Sequence, residues 1–312
     1  MNANRRAMVG CVVWVALVAL RVPNPEHGVW AHALLLLAAL VLVPLALELT
    51  DEAADRGQIA WLVAWTARLQ LPAALLLAFA VALPAGDAAA LAALPWVVVT
   101  GLVATTGWRR LRGGGWRRPM EKMCGDIALM FLAVGGAWVF AERAGYGPLN
   151  FSPEIVALTA VHFHFAGLLL PMLAGKALGR FPESRFASRA AVGAVLGVPA
   201  VAVGITTTQL GWGPAFEAAA GCGLALAGAA VAILHVRLAT ETRTGDAMTR
   251  GLFLVAGGSL FFGMTLAALY ALRGFTVPLP WLSVPWMRAV HGTVNALGFG
   301  LCGVMAWGRV RG

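Results

Sequence analysis

The sequence predicts an all-α, polytopic membrane bundle of about ten transmembrane helices, with the N-terminus and C-terminus both cytoplasmic. Three observations predict it. Of 312 residues, 60% are hydrophobic and only 12% charged, against roughly 45–50% and about 25% in soluble domains. The apolar residues form runs long enough to cross about 30 Å of hydrocarbon. The Lys and Arg residues fall in gaps that alternate between rich and poor. The formal net charge of +9 is spread over those short gaps and not gathered on one polar face, so it reads as topology and argues against a nucleic-acid partner.

Taken in order, the expected spans are Ala7 to Val22, Val29 to Leu49, Ile59 to Leu83, Ala88 to Trp108, Met123 to Phe140, Glu154 to Leu178, Ala190 to Leu210, Ala215 to Val236, Gly251 to Leu272 and Pro285 to Trp307. Each was judged against the roughly 17–25 apolar residues a crossing needs. The first is short and follows Arg5 and Arg6, as a signal peptide would, but no small-residue cleavage site follows and an uncleaved helix is expected. With the N-terminus inside, the cytoplasmic gaps hold Arg109, Arg110, Arg112, Arg117, Arg118 and Lys122, then Lys176, Arg180, Arg185 and Arg189, then Arg237, Arg243 and Arg250. The opposite side holds Arg21, Arg143, Arg273 and Arg288. That imbalance, reached only when ten spans are counted, fixes the expected direction. Trp61, Trp108, Trp116 and Trp307 are expected at the inner boundary, and Trp30, Trp138, Trp212, Trp281 and Trp286 at the outer one. No Pro- or Ser-rich linker and no repeat interrupts the chain, so residues 1–312 read as a single transmembrane domain. Cys11, Cys124, Cys222 and Cys302 are scattered singly, which suggests small apolar helix residues, so no metal or cofactor is assigned.

Polar groups at bilayer depth are costly and are functional candidates by default. The sixth span carries His162 and His164, which on a regular helix point about 200° apart and cannot share one metal ion. The tenth carries His291 and Asn295 at i and i+4, on one face. His162 and His291 fall within about two turns of the outer boundary and could approach if their helices are neighbours, with Glu154, Glu217 and the Thr206 to Gln209 stretch extending the cluster. The competing reading is that each histidine hydrogen-bonds a neighbouring helix and serves as glue. At the inner end of the second span Glu48, Asp51, Glu52 and Asp55 share one arc. Crowded carboxylates raise one another's pKa, although pairing with the basic Arg109 to Arg118 loop is the blander account. Arg68, some way into the third span, needs a carboxylate, a carbonyl or an anionic head group.

Two segments carry a resemblance. Residues 152–167, containing His162-Phe163-His164-Phe165-Ala166-Gly167, and residues 291–300, containing His291-Gly292-Thr293-Val294-Asn295, resemble the signatures of the YndJ-like family of bacterial integral membrane proteins. The resemblance implies a multi-pass protein of the bacterial cytoplasmic membrane and selects the same histidines and asparagine. It implies no activity.

The expected function is a membrane-embedded enzyme working on a lipid-like substrate, in the form of a proton-initiated isoprenoid (terpene) cyclase or isomerase. Such chemistry needs an acid, here Glu48 or Asp51, and a base among His162, His164 and His291 with Asn295. It also needs a dry apolar pocket with aromatic faces such as Phe163 and Phe165. Arg68, Glu154 and Glu217 complete the expected substrate contacts, and membrane lipids are the other expected partners. The alternatives are a haem- or metal-binding redox protein, with two histidines as axial ligands, and a proton-coupled transporter or sensor.

Overall fold

The structure is a computed structural model of the chain, which describes all residues except 22–26, 51–56, 58, 242–244, 276–281 and 312. Among the described residues it contains no strand and ten helices long and apolar enough to cross a membrane. They are α1 (Ala3–Leu20), α2 (Gly28–Thr50), α3 (Ala60–Ala82), α4 (Asp87–Gly114), α5 (Met120–Arg143), α6 (Pro153–Arg180), α7 (Arg185–Gln209), α8 (Ala215–Thr240), α9 (Ala247–Gly274) and α10 (Val284–Val310). The ten expected spans are all present, several of them a turn longer than hydropathy alone suggests.

Local chemistry sets the ends. Ser152, Ser184 and Asp246 precede α6, α7 and α9 and accept the backbone N–H groups of Ile155, Ala187 and Thr249 at 3.4, 3.2 and 2.9 Å, removing orphan donors from each first turn. After α5 the chain reverses at Gly145, whose φ of +69° suits a residue without a side chain, and Tyr146 N–H donates back to the Ala141 carbonyl at 2.9 Å.

Contacts divide the chain into two compact units, residues 1–118 with 125–169, and residues 119–124 with 170–312. In the first, α2 is the buried helix: every residue from Leu34 to Val43 is at most 5% exposed. Its run is apolar on all sides, the pattern of a helix enclosed by others. In the second, α7, α8 and α9 pack in sequence through small residues. A Cβ on Gly197 would lie 2.8 Å from Leu224 Cδ1, and one on Gly257 2.7 Å from the Ala232 carbonyl. Such close approach is how helices associate where lipid removes the hydrophobic incentive.

Three helices widen locally into π-turns, at Ala38–Leu42 in α2, Phe163–Gly167 in α6, and Met287–Gly292 with Val294–Leu301 in α10. The first two each contain the carbonyl four residues before a proline, Leu40 before Pro44 and Gly167 before Pro171. A proline ring clashes with that carbonyl and offers it no N–H. Widening the turn moves it aside, and Leu168 N–H then reaches back to Phe163 at 3.1 Å. Pro72, Pro95 and Pro199 sit in helices that keep the α form.

The tryptophans expected at the boundaries differ in burial. Trp61 and Trp108 are exposed and carry the Arg109 and Arg112 guanidiniums over their rings at 5.9 and 5.7 Å. Trp307 is different: it is buried at 5% exposure, bonded to a histidine instead of anchoring a boundary. Trp281 lies outside the described residues.

Candidate functional site

The deep histidines are of two kinds. His164, fully buried on α6, donates from Nδ1 to the Ala160 carbonyl at 2.7 Å and accepts at Nε2 from the Trp96 indole N–H of α4 at 3.0 Å. Its ring lies nearly parallel to the indole, 5.9 Å between centroids. Gly135 of α5 makes room, since a Cβ there would stand 2.8 Å from Nδ1. His235, fully buried on α8, repeats the arrangement in the second unit: Nδ1 donates to the Val231 carbonyl at 2.9 Å and Nε2 accepts from Trp307 at 3.3 Å. Phe253 and Phe299 close around it. An indole N–H can only donate and a carbonyl only accept, so both rings are held neutral in one tautomer with every polar atom engaged.

His291, in the π-helical stretch of α10, is arranged otherwise. Its Nδ1 donates to the Gly263 carbonyl of α9 at 2.8 Å, which leaves the lone pair on Nε2. That lone pair meets the Asn295 amide nitrogen at a long 3.4 Å, and the same nitrogen stands 3.2 Å from Nδ1. That amide donates to the His291 carbonyl at 2.9 Å, while the Asn295 Oδ1 is buried with no hydrogen-bond partner. Gly263 creates the space, since a Cβ there would fall 2.3 Å from Asn295 Nδ2. The result is an imidazole base beside an unsatisfied acceptor, inside an irregular helix of the kind that recurs at functional sites.

The remaining expected residues are distributed as follows. His162 ends the α-helical part of α6 and is partly exposed, turned differently from its buried neighbour His164. It belongs to the first unit and His291 to the second. Phe163 is buried edge-on against Phe131 at 6.2 Å, and Phe165 is partly exposed. Arg68 is exposed on α3 and lies over the Trp65 ring at 5.6 Å. Glu154 is exposed in the first turn of α6. Glu217 is held by Arg273 at 2.7 Å. Thr206 and Thr207 turn their hydroxyls onto their own helix. Glu48 is exposed at the end of α2 and lines a cavity. Asp51, Glu52 and Asp55 lie outside the described residues.

Two charged clusters escape a reading of the sequence. His32 of α2 meets Glu142 of α5 at 3.1 Å. The adjacent Arg143 forks onto the same carboxylate while donating to the Ala80 and Leu83 carbonyls at the end of α3, at 3.3 and 3.2 Å. At the start of α5, Asp126 is buried and paired with Arg118, and Arg110 stands 3.9 Å away. Hydropathy ends the fifth span at Phe140 and begins it at Met123, so it places Arg143 in a loop and gives Asp126 no partner.

Comparison with known proteins bears on the whole chain. The family described as YndJ-like protein matches residues 33–299, a stretch that includes both histidine segments. A Bacillus subtilis (strain 168) protein called uncharacterized membrane protein YndJ is 30% identical over 186 residues, which is 58% of this chain and 32% of that relative. The chain thus spans about a third of that relative's length at the match. No solved structure matches. With ten membrane-length helices and a family match over most of its residues, the chain is a multi-pass membrane protein belonging to the YndJ-like family.

Proposed function

We propose that this protein is a membrane-embedded enzyme acting on a lipid-like substrate, with His291 as its proton-transfer base and Asn295 as the group that orients the substrate. One observation carries the reading: the Nε2 lone pair of His291 meets only a long 3.4 Å contact from an Asn295 amide that already donates to the His291 carbonyl, next to a buried carbonyl oxygen that lacks a donor. A buried unsatisfied polar atom needs a reason, and a guest molecule with a donor group supplies one.

Between the two chemistries expected from the sequence, isomerisation of an isoprenoid chain suits this geometry better than cyclisation. Cyclisation needs a separate acid to begin and a base to finish. Isomerisation can run on one base where a conjugated carbonyl, as on a prenylated quinone, acidifies the allylic carbon: Nε2 takes its proton, the electron pair delocalises onto the carbonyl oxygen as the double bond shifts, and the imidazolium returns the proton to a different carbon with no change in oxidation state. The haem reading fits less well, because His164 and His235 would each have to give up an indole hydrogen bond to ligate iron.

The test is proton exchange. Purified protein in lipid nanodiscs is incubated with prenylated lipids in deuterated water, and deuterium entering the isoprenoid chain is read by mass spectrometry. Incorporation with the wild type and its loss in His291→Gln are expected. Equal incorporation in His291→Gln, or none with the wild type across prenyl alcohols, prenyl quinones and carotenoid precursors, rejects the assignment.

A further inference from the structure

The first unit holds a cavity of about 290 Å³ that the proposed chemistry does not use. It lies where α1 begins and α2 ends, and its volume is close to the lower end of the roughly 300–1,000 Å³ typical of small-molecule sites. Arg6, Arg110, Glu48 and Thr66 line it, with aliphatic walls that include Val63 and Val103.

Two of these groups each carry one buried donor atom without an acceptor. Arg6 is 7% exposed. Its Nη1 reaches the Ala67 carbonyl at 2.8 Å, but its Nε meets no acceptor. Thr66, one residue before that carbonyl, is 6% exposed, and its hydroxyl has no partner. That is unusual, because helical threonines normally turn back onto the carbonyl four residues earlier. Thr105 and Thr106 of α4 do so at 2.8 and 3.0 Å. Buried donors are almost always satisfied, and here two share one cavity wall.

Among the described residues, the charge around the cavity is weighted toward positive. Arg110 stands near Asp126, which Arg118 already holds, and Glu48 faces the same space as Arg6. Among the described residues, these are three guanidiniums against two carboxylates. A guanidinium N–H and a hydroxyl lining one cavity match the oxygens of a phosphate. The Glu48 carboxylate sets a limit, favouring a single negative charge over two.

We propose that this cavity binds a singly charged phosphate group, held by Arg6 Nε and the Thr66 hydroxyl with Arg110 supplying charge. Head-group phosphodiesters carry that charge and lie where membrane helices end, and the aliphatic wall suits the first carbons of an acyl chain. Free phosphate shares the same recognition chemistry.

Thermal unfolding of the full chain in a neutral sugar-headed detergent tests this. Inorganic phosphate, phosphatidylglycerol and the phosphate-free diacylglycerol are added separately. The midpoint is expected to rise by a few degrees with a phosphate source, by preferential binding to the folded state, and to stay put with diacylglycerol. A rise with phosphatidylglycerol alone assigns the group to a lipid, and a rise with inorganic phosphate assigns it to the free ion. Thr66→Val removes an unpaired hydroxyl while keeping shape and the Arg6–Ala67 bond. Without ligand it should be at least as stable as the wild type, yet lose most of the rise. Arg6→Lys keeps the charge but not the Nε donor and should also blunt it. An equal rise with diacylglycerol, no rise with either phosphate source, or a full rise in both variants overturns the proposal.

Discussion

His164 and His291 differ in one hydrogen bond, and that difference separates two uses of an imidazole in a membrane. Both direct Nδ1 to a backbone carbonyl, at 2.7 and 2.8 Å. On His164 the other nitrogen is closed by the Trp96 indole. On His291 it faces only a long contact with Asn295. His235 is also met by an indole N–H, from Trp307 at 3.3 Å, and is set apart from His291 by that donor and not by distance, since the Asn295 amide is already bonded to the His291 carbonyl. Burial therefore does not separate these rings; the partner of the second nitrogen does. Under the proposed function, the rings closed by an indole are interhelical fasteners and His291 is the ring that exchanges a proton.

The sharpest way to break this contrast is to remove each ring in turn. His291→Gln should lower proton exchange by about 10²–10⁴-fold, the usual contribution of a general base, with little change in the unfolding midpoint. His164→Leu should do the reverse, costing about 1–3 kcal/mol because the Trp96 N–H is left buried and unpaired, while exchange per folded molecule persists. Exchange and unfolding measured on the same preparations decide the matter. If His164→Leu abolishes exchange at an unchanged midpoint, the contrast is wrong.

A second perturbation works through the glycines that admit these rings. Gly263→Ala would drive a Cβ into the Asn295 amide, and Gly135→Ala would drive one into His164. Each should cost about 1–3 kcal/mol as overpacking, but only Gly263→Ala should also lower exchange, because only it displaces Asn295. Equal loss of exchange in both would mean that packing alone, not the His291–Asn295 pair, controls activity.

The contrast also explains what the sequence could and could not disclose. The ten spans were legible because hydropathy needs no partner: each helix reports its own solvent. The buried histidines of α6 and α10 were legible for the same reason. Which lone pair is capped was not legible, since Trp96 arrives from another helix by tertiary packing. His235 lies one residue before Val236, the expected end of its span, whereas α8 runs on to Thr240 and encloses His235 a turn from its end. Arg6 and Thr66 lie on α1 and α3, and only folding brings them to one cavity. The separation of His162 and His164 was legible from helical geometry alone, even though a π-turn begins between them.

A smaller effect is expected from the fasteners themselves. Trp307→Phe and Trp96→Phe keep an aromatic ring and delete one N–H each, removing an interhelical bond worth about 0.6–2 kcal/mol. Double-mutant cycles with His235→Leu and His164→Leu should return coupling energies of that size. A coupling near zero would mean that the indole and imidazole merely pack together, and that the capped and uncapped rings differ less than their geometry suggests.

The smallest expected effect sets an exposed clasp against the buried one in the same unit. Asp246 accepts from the Thr249 hydroxyl and backbone N–H at 2.6 and 2.9 Å, and from Arg309 of α10 at 2.6 Å. These bonds, the Thr249 ones foremost, lower its pKa from 3.8 to about 2. A carboxylate depressed in the folded state contributes stability that is complete above its unfolded value and disappears as pH falls through the folded one. The tie from the start of α9 to the end of α10 should thus hold at neutral pH and weaken between about pH 4 and pH 2. Asp246→Asn can still cap the helix but has no charge to lose, so its unfolding midpoint should fall less steeply than the wild type's across that window. Parallel curves would show that Arg309 and Thr249 do not bind the carboxylate in solution, leaving the His235–Trp307 fastener as the described side-chain bond between α8 and α10.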